Sequence, residues 1–202
     1  MKLYYSPAAC SLASHIVLRE TGQDFELIKV DTQTHRTASG ADYFGINPKG
    51  QVPLLELEDG QRLSEGPVIA QYIADRKGAR DLMPEPGSLA RYRVQEWQNY
   101  ISTELHKSFT PLFNPELDAK AKTTLRAVLN KKLAWLDGQM QGRRFLTGEA
   151  FTAADAYLFV VLGWAQYVDV DLQPFAGLLN FRTRVAQRPA VRAALQAEGL
   201  LQ

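Results

Sequence analysis

Hydrophobic and polar positions in the first eighty residues switch repeatedly between the period of a strand and that of a helix. Lys2 to Ser6 reads as a strand, Pro7-Ala8-Ala9 as a turn, and Ser11 to Glu20 as a helix stopped by Thr21-Gly22. Phe25 to Val30, rich in apolar and β-branched residues, is a second strand. Asp31 to Gly45 is polar and poorly periodic, which predicts a loop with a short irregular helix. Asn47-Pro48-Lys49-Gly50 is a turn, Gln51 to Leu57 a third strand, Asp59-Gly60 a hairpin signal, and Gln61 to Ser64 a fourth strand. Glu65-Gly66-Pro67 then opens a helix with Val68, Ile69, Tyr72 and Ile73 on one face. The first βαβ unit requires a parallel pair and the hairpin an antiparallel one, so a mixed four-stranded sheet is expected.

Strand signals stop after a stretch rich in turn-formers, Lys77 to Ser88, which marks a linker. Leu89 to Leu112 and Leu117 to Met140 predict two long helices. A third starts at Thr152-Ala153-Ala154-Asp155, where Thr152 caps and Asp155 reaches back in a variant of the capping box. Shorter helices are expected over Leu178 to Gln187 and Ala190 to Glu198. In the first long helix Asn99, Thr103, His106 and Thr110 recur at spacings that predict one polar face, with Trp97, Ile101, Leu105 and Leu112 on a neighbouring apolar one. The expected class is an α/β domain over residues 1–80 followed by an all-α domain over 87–202.

Composition narrows the function. Of 202 residues, 46% are hydrophobic and 22% charged, enough for a real core. A formal net charge of +1, with both signs interspersed, argues against a dedicated nucleic-acid surface. The single cysteine, Cys10, rules out an internal disulfide and fits a reducing compartment. No secretory signal pattern opens the chain, and the apolar run from Tyr157 to Ala165 is too short to span a bilayer. A soluble, cytoplasmic protein without a membrane partner is expected.

Cys10 is also the first candidate for chemistry. It lies where a strand turns into a helix, and unpaired N–H groups with the positive end of the helix dipole favour a thiolate there. Buried core filling is the alternative. Val52-Pro53 puts a proline inside a predicted strand, hence at an edge or bend, where the Val52 backbone could pair with an extended ligand. Glu65-Gly66-Pro67 offers N–H groups to a carboxylate and the Glu65 side chain to an ammonium, although glutamate is also common near helix starts. His35 lies in a polar loop, the usual setting of a merely solvated histidine.

Five segments together resemble the cytosolic glutathione transferases, specifically the bacterial beta class. They are Tyr5-Ser6-Pro7-Ala8-Ala9-Cys10-Ser11-Leu12, Asn47 to Pro53, Glu65-Gly66-Pro67, Glu104-Leu105-His106-Lys107, and Phe151 to Tyr157. The Val-Pro and Thr-x-x-Asp elements mark the superfamily; Cys10 with His106 marks the class. The resemblance implies a thioredoxin-like N-terminal domain, a cis Val52-Pro53 bond, a homodimer, and glutathione as co-substrate without a prosthetic group or metal. By the same resemblance, Cys10 would lie beside the glutathione sulfur and Val52 would pair with the cysteinyl part. Glu65 and Gly66 would hold the γ-glutamyl end, and His35 would lie near the glycyl end. Asn99, Thr103, Glu104, Leu105, His106 and Lys107 would complete the pocket from the helical domain, with His106 joining Cys10 in catalysis. Two departures stand out: Gly66 replaces a common serine or threonine, and His35 a common lysine, so weaker anchoring is expected.

A free thiol has a pKa of about 8.5, and an exposed helix end contributes only about 0.3–1 kcal/mol, so a cation near the sulfur is expected, His106 or Lys107. Tyr5 and Ser11 are competing activators, with strand packing and helix capping as their structural roles. The leading expectation is an enzyme that presents the glutathione sulfur to soft electrophiles, with Phe109, Phe113 and Trp164 as apolar walls. The alternatives are a glutathione-dependent thiol–disulfide reductase or reductive dehalogenase, and a non-catalytic binder of hydrophobic ligands.

Overall fold

The computed structural model describes residues 1–201. Its sheet runs in the order β3-β2-β1-β4-β5, with β1 Lys2–Tyr5, β2 Glu26–Asp31, β3 Arg36–Thr37, β4 Leu54–Glu56 and β5 Arg62–Ser64. Strand β1 is parallel to β2, with Leu3 opposite Leu27, and antiparallel to β4, with Leu3 opposite Leu55. Strands β4 and β5 form the hairpin expected at Asp59-Gly60. The sheet is mixed, but it has five strands rather than four. The extra one, β3, is two residues long and pairs antiparallel with Val30 and Asp31. Turn chemistry makes it: the Asp31 carboxylate accepts the N–H groups of Gln33 and Thr34, and His35 takes a left-handed φ of 51°. Two residues carry no hydrophobic period, so the pattern gave no sign of it. Strand β4 starts at Leu54 rather than Gln51, since Pro53 has no N–H for the ladder.

Helices α1 (Ser11–Thr21) and α2 (Gly66–Lys77) complete this unit. Almost all of α1 is buried, including Leu12, Ile16, Val17 and Leu18 and the polar Ser11, Ser14 and His15. It ends at Gly22, whose φ of 59° forms the left-handed cap and returns its N–H to the Arg19 carbonyl.

The chain divides into two compact units, Met1–Met83 with Arg188–Gln202, and Pro84–Gln187. The last helix, α8 (Pro189–Ala197), therefore belongs with the first unit rather than with an unbroken helical domain over 87–202. Polar contacts explain the return. Arg188 makes a two-pronged pair with Glu20 at 2.6 and 2.9 Å. Glu198, just past α8, accepts from His15 Nδ1 at 2.9 Å and from the Ala8 N–H at 3.2 Å. Arg19 Nε donates to His15 Nε2 at 3.0 Å, which places the imidazole proton on Nδ1.

The second unit holds α3 (Leu89–Tyr100), α4 (Lys107–Phe109), α5 (Ala119–Gln139), α6 (Ala153–Gly163) and α7 (Ala176–Ala186). Helix α6 is its core: every residue from Ala153 to Leu162 is buried. The capping box at Thr152 and Asp155 is present as expected. Asp155 accepts the N–H groups of Leu146 (2.9 Å) and Thr152 (2.8 Å) and the Thr152 hydroxyl (2.7 Å). Burial pushes its carboxyl up to about 6 despite these donors. The helix expected over Leu89 to Leu112 is not α throughout. A π segment, Ile101–His106, separates α3 from α4, and Thr110–Phe113 closes as a tight 3-10 turn with Pro111 at its start.

Candidate functional site

Cys10 occupies the N-cap of α1, where the helix places its sulfur beside Val52: Sγ donates to the Val52 carbonyl oxygen at 3.2 Å. The side chain is partly buried rather than sealed in the core. The Val52-Pro53 bond is cis. Beneath Val52 lie Tyr4, Val30, Tyr43 and Leu54, with the Tyr43 hydroxyl and the Asn47 amide both donating to the Gln51 carbonyl. The segment that presents Val52 is thus fixed from below.

Ser11 does not cap its helix. Its buried Oγ accepts the Ser6 N–H and donates to the Ser6 carbonyl, both at 3.2 Å, closing the loop that carries Cys10. Tyr5 packs in β1 with its ring near His15, so its role is structural. Ala8 completes the loop at a φ of 61°, a conformation that costs a non-glycine residue energy and is held here by the Glu198 carboxylate.

The Glu65-Gly66 element adjoins this loop through Pro53, whose Cγ would lie 3.8 Å from a Cβ placed on Gly66. Glu65 is the N-cap of α2, at a φ of 69°. Its Oε1 holds an ammonium group, that of Lys49, at 2.8 Å, and Lys49 also reaches Ser64 Oγ at 2.9 Å. Both partners are well exposed, and such pairs contribute only about 0–1 kcal/mol, so an incoming ammonium can exchange with Lys49. Lys49 lay in the turn motif and escaped notice as a charge. His35 stacks on Phe44 with ring centroids 4.3 Å apart. A Cβ on Gly50 would meet both rings within 3 Å, so only glycine fits between Lys49 and the cis bond. Cys10, Val52, Glu65, Gly66 and the His35 loop are therefore linked through one continuous stretch, residues 49–53.

In the helical unit the expected polar stripe is not one face. Asn99, Thr103 and Thr110 are exposed, while His106 is half-buried. The π segment changes the angular phase between Asn99 and His106, which an α-helical spacing rule cannot anticipate. His106 Nδ1 lies 2.7 Å from the Tyr157 hydroxyl, and its ring stands edge-on to Trp164 with centroids 4.6 Å apart. Burial, aided by the Lys107 charge, lowers its pKa to about 4. At neutral pH His106 is an uncharged imidazole, which corrects the expectation that it supplies a cation. Glu104 is engaged by Lys132 at 2.9 Å, an interaction that lowers its carboxyl below the ordinary value. The Leu105 side chain is fully buried in the core, so only its backbone could meet a ligand. Lys107 is exposed. Phe109 is fully buried behind Trp164, whereas Phe113 is exposed and stands edge-on to it. Among the described residues no group of three or more His, Cys, Asp or Glu could hold a metal ion, and no helix is long and apolar enough to cross a membrane.

Residues 8–76 match the model for the glutathione S-transferase N-terminal domain, and residues 100–197 the model for its C-terminal domain. A glutathione S-transferase from Escherichia coli O157:H7, GstA, is 51% identical over 200 residues, covering 99% of this chain and 100% of that one. The chain belongs to the glutathione S-transferase family. Solved structures of the family agree along its length. A sphingomonad glutathione S-transferase complexed with glutathione has a TM-score of 0.95 at 47% identity, covering 100% of both chains. A bacterial beta-class enzyme from Sphingomonas chungbukensis has a TM-score of 0.96 at 44% identity, again over 100% of both.

Proposed function

We propose that the protein binds glutathione on its first unit and joins the tripeptide through its sulfur to soft electrophiles. The observation that carries this reading is the Cys10 thiol on the Val52 carbonyl, with Glu65 already holding an ammonium group and the α2 N-terminus beside it. The cysteinyl N–H of the tripeptide takes over the Val52 carbonyl, its γ-glutamyl ammonium replaces Lys49 on Glu65, and its α-carboxylate meets the Gly66 N–H. The glycyl end lies toward His35. Asn99, Thr103, the Glu104-Leu105 backbone, His106 and Lys107 are assigned to ligand contacts from the helical unit. There the exposed Phe113 offers an aromatic surface to the electrophile, backed by the buried Trp164 and Phe109, which corrects the expectation that all three form the wall. When the Tyr157 hydroxyl donates to His106 Nδ1, the ring proton sits on Nε2, a neutral donor for developing negative charge. The glutathione thiol gives up its proton to solvent, its sulfur forms a bond to the electrophilic carbon, and the leaving group departs with its electron pair; holding both reactants together supplies much of the rate. The protein acts as a homodimer in the cytoplasm.

Replacing Cys10 by alanine and measuring both aromatic-halide conjugation and disulfide exchange tests the assignment. Loss of one or both rates is expected; wild-type rates in both assays show that Cys10 is not catalytic. The partly buried sulfur beside Val52 also favours a second reading, glutathione-dependent thiol–disulfide exchange through a mixed disulfide on Cys10. A Cys10–glutathione adduct that builds up and decays during turnover, followed by mass, is its signature.

A further inference from the structure

Between α3 and α4 the helix widens over six residues and then returns to ordinary spacing. Such wide turns are short insertions that shift the angular phase of the residues after them, and they are frequent at functional sites. Glu104 lies inside the wide segment. Its carbonyl oxygen receives two side-chain donors, Ser108 Oγ at 2.6 Å and Lys132 Nζ at 3.0 Å. Lys132 is the only one of the two that comes from another helix. Its ammonium also donates to Glu104 Oε2 and to Ser108 Oγ, both at 2.9 Å, so all three hydrogens are used within one turn. Lys132 stands on α5 next to the fully buried Leu133 and near Leu129 and Leu136, so α5 gives the ammonium a fixed reference in the core.

We propose that Lys132 is a positioning residue that fixes the wide turn from Ile101 to His106 and thereby sets where His106 points. The proposal rests on the reading of His106 as a functional group of the transferase. Loss of the extra residue in the turn would rotate His106 by about 100°, the angle of one residue in an α-helix, and carry its ring off both Tyr157 and Trp164. The Lys132–Glu104 pair alone would be an ordinary half-exposed ion pair; the bond to the backbone carbonyl is what couples α5 to the turn.

The test uses full-length Lys132→Met, which keeps the stem and removes the donor, and Lys132→Arg, which restores one. The chain has three histidines, so the His106 imidazole resonance is assignable by NMR against a His106→Asn control. In the wild type His106 stays neutral down to pH 5. In Lys132→Met its titration moves up by one pH unit or more as the ring leaves its site, and the KM for glutathione or the electrophile rises severalfold; Lys132→Arg reverses both shifts. An unchanged His106 titration in folded Lys132→Met overturns the proposal. Should that variant not accumulate folded, Ser108→Ala removes the other donor to the same carbonyl. A smaller upward shift is expected there, and no shift overturns the proposal. If the wild-type protein conjugates no electrophile to glutathione, the functional reading falls while the NMR titration still decides the role of Lys132.

Discussion

Acidification puts the His106 environment to a quantitative test. The imidazole has an ordinary value of 6.5 and a folded value of about 4, lowered first by burial and then by Lys107. Between these values the unfolded chain binds the proton and the folded chain does not, so stability is full above pH 6.5 and falls as pH drops toward 4. Each pH unit in that window is worth about 1.4 kcal/mol. At pH 5 the loss from this group is about 2 kcal/mol, or 1–2 kcal/mol after allowance for the part of the ring that solvent reaches. His106→Asn removes the titration while leaving a polar group opposite Tyr157. Urea unfolding of both proteins at pH 7.5, 6 and 5, at one protein concentration, measures the difference directly. The wild type is expected to lose 1–2 kcal/mol more than the variant between pH 7.5 and 5. Parallel losses would refute a buried, neutral His106. The same reasoning keeps His106 out of any ionisation seen in the activity profile between pH 6 and 8.

Gly66→Ser is expected to lower the KM for glutathione by up to about tenfold, because a Cβ meets only Pro53 at 3.8 Å and a hydroxyl adds a hydrogen bond to a charged carboxylate; unchanged steady-state KM in the folded variant contradicts the placement of the γ-glutamyl end. Glu198→Ala leaves the buried His15 Nδ1–H without its acceptor and releases the Ala8 turn, so thermal unfolding should show a loss of roughly 2–4 kcal/mol together with altered Cys10 alkylation rates. Asp155→Ala removes the acceptor for buried N–H groups of Leu146 and Thr152 and should cost roughly 2–4 kcal/mol in denaturant unfolding, with Asp155→Asn milder.

The sheet, the α1 and α2 helices and the capping box were legible because each rests on local chemistry: hydrophobic period, an Asp-Gly turn, Thr152 with Asp155 three residues on. The places of Cys10, Val52 and Glu65 in the fold were legible for the same reason, since each sits at or beside an element boundary. What escaped depends on residues far apart in the chain. Strand β3 exists through pairing with β2, not through its own two residues. Helix α8 reads like the helices before it, and only Glu198 against His15 and Arg188 against Glu20 place it with the first unit. The neutrality of His106 comes first from burial, to which Tyr157 and Trp164, more than fifty positions away, contribute, and then from Lys107, and the π segment leaves no trace in helical spacing.

Because the chain goes back to its starting unit for its last fifteen or so residues, synthesis order and assembly order differ. A ribosome that has released only the first eighty-three residues has made a sheet with α1 still bare where α8 will lie, and the bend ahead of Cys10 still lacks the carboxylate that steadies it. The surroundings of Cys10 are completed only when the segment that carries Glu198 has been made, so a nascent chain that stops short of it carries a sulfur without its organised setting.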